Sequence, residues 1–115
     1  MKDMERETKR LLRRLGIDGT YVGFLFTSFG VAKVVEDPQL RTHISKGLYV
    51  QIPSHLHVSP SSAERNIRTI KQLVGKRGEP EFLEEVFGGL RLEKLSNTEF
   101  IRALTNYLLE TEEES

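Results

Sequence analysis

Residues 19 to 36 impose the first constraint on this chain. Tyr21, Phe24, Leu25, Phe26, Phe29, Val31, Ala32, Val34 and Val35 fall on too many sides of a helix for it to lie on a surface. Such a helix must be surrounded by others, so the expected fold is all-α, a compact bundle packed around this central element. The apolar stretch is shorter than the roughly 20 residues that cross a bilayer. It is also interrupted by Gly23, Thr27, Ser28, Gly30 and Lys33, so no membrane association is expected. A chain of 115 residues forms one hydrophobic core, which predicts a single domain over residues 1–109.

Punctuation divides the rest into short helices. Met4, Leu11, Leu12 and Leu15 predict an amphipathic helix over residues 3–15 with a frayed start, ended by a left-handed cap at Gly16. Asp37 followed by Pro38 suits a cap and first turn, predicting a third helix to Lys46 or Leu48 that buries Leu40, Ile44 and Leu48. A short segment, Tyr49 to Leu56, precedes a longer helix over about residues 61–74. Two start signals compete there: Ser59 before Pro60, and the Ser61/Glu64 spacing of a capping box. Gly75 and Gly78 end that helix, residues 80–87 form another closed by Gly88 and Gly89, and Ser96/Glu99 open a last one through about Leu109. Residues 110–115 are expected to be an acidic flexible tail. No convincing strand is left over.

The formal net charge of zero conceals a segregation. Residues 1–40 carry seven basic and six acidic side chains, residues 41–78 seven and one, and residues 79–115 three and ten. A local positive field over the middle third is what would attract a polyanion. On a wheel turning about 100° per residue, Ala63, Ile67, Ile70 and Val74 share one stripe that must face the core. The opposite side presents Ser61, Arg65, Arg68, Thr69 and Gln72, flanked by Ser62 and Glu64. Those groups have the lengths and chemistry to reach base edges and phosphates. Preceded by a short helix and a turn, this is the layout of a helix-turn-helix whose second helix enters the major groove.

The run Leu15-Gly16-Ile17, Gly23-Phe24-Leu25-Phe26, Leu48-Tyr49, Ser61 through Arg68, Lys76-Arg77-Gly78, Phe87-Gly88 and Asn97-Thr98-Glu99-Phe100-Ile101 resembles the C-terminal effector domain of the stage 0 sporulation protein A response regulators. The likeness extends from about Leu11 to Leu109 with family-like spacing between motifs. It implies about six helices and sequence-specific binding of double-stranded DNA in transcription regulation of sporulation. It also implies dimers on tandem sites and contact with RNA polymerase. On the positions matching the family, Ser62, Glu64 and Arg65 are implied to contact bases and Arg68 and Thr69 the backbone, to which the wheel adds Ser61 and Gln72; Lys76, at the end of the same helix, is also expected to contact the backbone. Ser62 stands where the family commonly has arginine, and serine lacks the reach and planar fork of a guanidinium, implying an altered or relaxed operator. Pro53 stands where alanine is common and is tolerated only in a first turn, so its helix is expected to start near Val50 or later.

Other functions fare worse. Without cysteine, disulfides, thiolate zinc sites and cysteine nucleophiles are excluded. His55 and His57 diverge from either side of Leu56 and make a poor metal site, so no metal or cofactor is expected. No catalytic ordering of nucleophile, base and carboxylate is present, which argues against an enzyme. The first fourteen residues lack the apolar run of a secretory signal, so a cytoplasmic location is expected. Ten residues precede Leu11, too few for a receiver domain, so the DNA-binding effector domain is expected either to lack a receiver or to be an excised fragment. The alternative expectation is a receiverless interaction module or antagonist that pairs with a full-length regulator through its last helix, without strong DNA binding. Tyr107 and Leu109 would then form the contact or else complete the core.

Overall fold

In the computed structural model, residues 3–114 are described, with side chains from residue 3 to residue 112. Each helix starts and stops for a local reason. Helix α1 (Met4–Arg14) is capped rather than frayed, the Asp3 carboxylate accepting from the backbone N–H groups of Glu5 and Arg6. It closes at Gly16, whose φ of 91° is the predicted left-handed cap. The Ile17 N–H then reaches back to the Leu12 carbonyl at 2.9 Å.

Helix α2 (Val22–Glu36) is the central element, burying Phe24, Phe26, Val31, Ala32, Val34 and Val35 between α1 and the helices that follow. Its envelope is incomplete, because Leu25 remains 44% exposed at the N-terminal end. Helix α3 (Pro38–Thr42) begins as expected, with Asp37 accepting from the Gln39 N–H at 2.9 Å. It does not continue to Lys46. His43 departs to φ −137° and ψ 56°, and the Thr42 hydroxyl bonds the Gln39 carbonyl, a local alternative to the helical ladder.

Helix α4 (Ile44–Lys46), a π-helical turn (Gly47–Gln51) and α5 (Ile52–Leu56) follow without a break in right-handed backbone. Pro53 therefore occupies the first turn of α5, as expected, but that helix is fused to a preceding rod rather than free-standing. The widened turn is where a proline that lacks an N–H and crowds the carbonyl four residues back is accommodated.

Helix α6 (Pro60–Arg77) starts at Ser59, whose hydroxyl accepts from the Ser62 N–H at 3.1 Å. The competing Ser61/Glu64 box does not form. The helix runs through Gly75 and stops only at Gly78, where the backbone turns extended. Helix α7 (Pro80–Phe87) closes at Gly88 and Gly89, both at positive φ. A one-turn 3-10 segment (Leu92–Lys94) leads to α8 (Asn97–Glu114). The capping box predicted for α8 is complete: the Glu99 N–H donates to Ser96 Oγ at 3.1 Å, and the Ser96 N–H to Glu99 Oε1 at 3.0 Å.

Helix α8 passes the expected end at Leu109 and makes the residues expected as a tail helical through Glu114. Buried Leu108 anchors that turn, and the Thr111 hydroxyl donates back to the Tyr107 and Leu108 carbonyls. Tyr107 and Leu109 pack against the core. Tyr107 meets Phe82 edge-on at 6.1 Å between ring centroids, and its hydroxyl donates to Glu85. Burial, then the Glu85 carboxylate, raises the Tyr107 pKa above its ordinary value. No strand occurs among the described residues, and no helix is long and apolar enough to cross a membrane.

Candidate nucleic-acid interface

The sharp corner before α6 depends on His57. Its φ of 56° and ψ of 47° are left-handed, a conformation a non-glycine residue adopts only at some cost, and here it turns the chain from α5 into the Ser59 cap. Across the corner both helices lean on α2, each at one of its glycines. A Cβ on Gly23 would lie 2.3 Å from the Asn66 carbonyl oxygen of α6, and one on Gly30 would lie 2.9 Å from Ile52 Cδ1 of α5. At Gly23, where the obstacle is backbone, only glycine lets α6 seat this deeply, whereas at Gly30 the neighbour is the end of a side chain that can turn aside.

The apolar stripe of α6 is buried as its periodicity predicts, with Ala63, Ile67, Ile70 and Val74 all at 0% exposure. Ser61, Arg65, Arg68, Thr69, Gln72 and Lys76 are exposed, and Ser62 and Glu64 are half-buried. The eight candidates thus share one helix and one side of it. They are not equally free. Arg68 Nη1 lies 2.5 Å from Glu64 Oε1, an i,i+4 ion pair that holds both side chains along the helix. Thr69 Oγ1 donates to the Arg65 carbonyl at 3.0 Å, and Ser62 Oγ accepts from Asn66 Nδ2 at 3.2 Å. The Arg65 guanidinium makes no hydrogen bond or ion pair among the described residues.

The positive middle third is partly consumed by the fold. Arg41 donates to the Val34 and Val35 carbonyls at the end of α2, Arg77 donates to the Tyr21 hydroxyl at 2.6 Å, and Lys71 is buried with its Nζ on the Leu95 carbonyl. Arg77 also lies near Asp18, whose pKa is lowered first by the Thr20 hydroxyl, then by the Thr20 backbone, with Arg77 adding to it. Lys46, Arg65 and Lys76 keep their charges unpaired among the described residues. The field is therefore narrower than the count of seven cations in residues 41–78 suggests, and two of these three free charges lie on α6.

Sequence reasoning missed two polar residues beside this face. Asn97, at the start of α8 and only 7% exposed, donates from Nδ2 to the Glu64 carbonyl at 2.9 Å. Lys71 is 8% exposed. A signal for Lys71 was available, because it lies about 40° around the wheel from Ile67, at the margin of the apolar stripe where a lysine stem is commonly buried. None was available for Asn97, whose partner is a backbone carbonyl far away in sequence.

A protein-family model described as the sporulation initiation factor Spo0A C terminal matches residues 8–108, nearly the whole chain.

Proposed function

The chain belongs to the sporulation initiation factor Spo0A C-terminal family, the DNA-binding effector domain of sporulation regulators. From that premise we propose that α5, the His57 corner and α6 act as a helix-turn-helix and that α6 is inserted into the major groove of double-stranded DNA. Ser62, Glu64 and Arg65 face base edges, while Ser61, Arg68, Thr69, Gln72 and Lys76 meet the sugar-phosphate backbone. The observation that carries this reading is the free Arg65 guanidinium, placed directly opposite a stripe that is wholly buried. A planar fork with no partner of its own is suited to pair bidentately with a guanine.

Arg68 has a different role because Glu64 already occupies it. It reaches phosphate along the groove wall, and Glu64 keeps lone pairs with which to accept from a cytosine amine. Ser62, shorter than the family's usual arginine and engaged by Asn66, contributes less base discrimination. Dimers on tandem sites and contact with RNA polymerase belong to the same reading.

Selection from a random duplex pool, with sequencing of what is retained, tests it. A single enriched motif whose affinity falls steeply with salt supports the proposal, with a slope of about −0.9 per phosphate neutralised. Absence of enrichment together with a flat salt response overturns it and favours the protein-interaction module instead.

A further inference from the structure

An apolar stripe resists separation but is non-directional, so by itself it leaves a helix free to slide or rotate slightly in its groove. Reading bases by hydrogen bonds demands more, since a contact group must be held within roughly 0.5 Å and 10–20° of its productive position. Helix α6 carries a directional restraint outside its apolar stripe. Asn97 donates to the Glu64 carbonyl, and Lys71 donates to the Leu95 carbonyl. The two attachment points on α6 are seven residues apart, which is two turns and therefore the same side of the helix. Both lead to one short stretch, Leu95 to Asn97, that is itself fixed by the Ser96/Glu99 capping box.

Resting on the assignment of α6 as recognition helix, we infer that Asn97 and Lys71 are positioning residues for DNA sequence discrimination. They form a two-point clamp from the start of α8 that sets the rotation and depth of α6 in the groove. The clamp acts where it counts, because one of its points is the backbone of Glu64, one residue before Arg65. Lys71, although it lies in the most basic third of the chain, is a structural cation and touches no phosphate. Its buried charge is met by the Leu95 carbonyl and by the nearby Glu99 carboxylate, whose pKa it helps to lower after the dominant Ser96 hydrogen bonds. A helix loosened from the clamp loses base contacts, which tolerate little displacement, before it loses phosphate contacts, which act at longer range.

The test uses the whole chain, a duplex carrying the selected motif and a scrambled duplex. Asn97→Asp keeps the shape and removes the donor, and Lys71→Met keeps the stem and removes the charge. Both are expected to lower the ratio of motif to scrambled affinity about ten-fold, the worth of one good base contact. Affinity for the scrambled duplex and the salt slope are expected to stay at the parent's values. Asn97→Ser and Lys71→Arg, which retain a donor, are expected to recover most of the ratio. Without DNA, Asn97→Asp is expected to shift the backbone amide resonances of residues 64–68.

An unchanged ratio in both donor-less variants overturns the clamp. So does a salt slope reduced by about 0.9 in Lys71→Met, which makes Lys71 a phosphate ligand instead. If the donor-less and donor-retaining variants all fail to fold, the two bonds serve the core as a whole and the assignment to discrimination falls. Failure of the parent chain to prefer any duplex sinks the recognition-helix reading. A preferring parent with unaffected variants sinks only the clamp.

Discussion

Gly23 and Asn66 stand so close that a single added methyl on the glycine would come within 2.3 Å of the Asn66 carbonyl oxygen and 2.6 Å of Ile70 Cγ1. This is where the central helix and α6 cross. The backbone of the helix proposed to bear the DNA-facing side chains thus rests directly on the backbone of the helix that organises the core. On that proposal, discrimination and stability are linked at this point.

Gly23→Ala is accordingly expected to destabilise by about 1–3 kcal/mol, the usual range for overpacking, because the obstacle is backbone and cannot turn aside. Gly75→Ala provides the contrast. It lies inside α6, where a Cβ would meet Leu92 at an ordinary 3.6 Å, so relief of the glycine's entropic penalty is expected to stabilise by about 0.5–1 kcal/mol. Urea unfolding of both variants measures the pair, and equal signs for the two would show that the crossing is not the constraint described.

The ion pair between Glu64 and Arg68 separates the roles of the two arginines. Arg65→Ala is expected to cost about 1–3 kcal/mol of discrimination at one base pair, with little change on scrambled DNA. Arg68→Ala should weaken binding to every duplex alike and flatten the salt slope by about 0.9. Neither change should move the melting temperature much, since an exposed i,i+4 pair contributes little to stability. Titrations at several salt concentrations decide the matter, and identical behaviour of the two variants would refute the division.

Ser62 offers a gain-of-contact experiment. Its hydroxyl lies against Asn66, and Ser62→Arg replaces it with a side chain long enough to reach a base edge. Repeating the duplex selection is expected to return a longer or more stringent motif than the parent's. If parent and variant select the same motif with the same stringency, position 62 does not read DNA in this chain.

The start of α8 predicts the acid behaviour. Hydrogen bonds from the Ser96 backbone and hydroxyl hold the Glu99 pKa below its ordinary 4.5. A depressed carboxylate contributes stability that is present above that ordinary value and is lost as pH falls through the folded one. Glu99→Gln is expected to be less stable than the parent near neutrality, with the difference shrinking as pH drops below about 4.5. Thermal melts across that window provide the measurement, and a difference independent of pH would show that the carboxylate's charge is not what the box uses.

The sequence alone settled whatever depends on neighbours along the chain. The caps at Gly16, Asp37, Gly88 and Ser96, the buried stripe of α6 and its polar opposite face all follow from helical periodicity and local hydrogen-bonding chemistry. The family resemblance rested on the same residues. Where two local signals competed, as with Ser59 and Ser61, where an expected helix broke, as at His43, or where one ran past its expected end, as beyond Leu109, only the fold chose. The packing of α6 was likewise out of reach. Gly23 gave no hint that Asn66 would lie against it, nor did Asn97 declare that its partner was the Glu64 carbonyl. Lys71, Arg41 and Arg77 counted as free charge until packing gave them partners. Side-chain patterns are written locally, but a backbone carbonyl or a vacant Cβ acquires meaning only when a distant helix is brought against it.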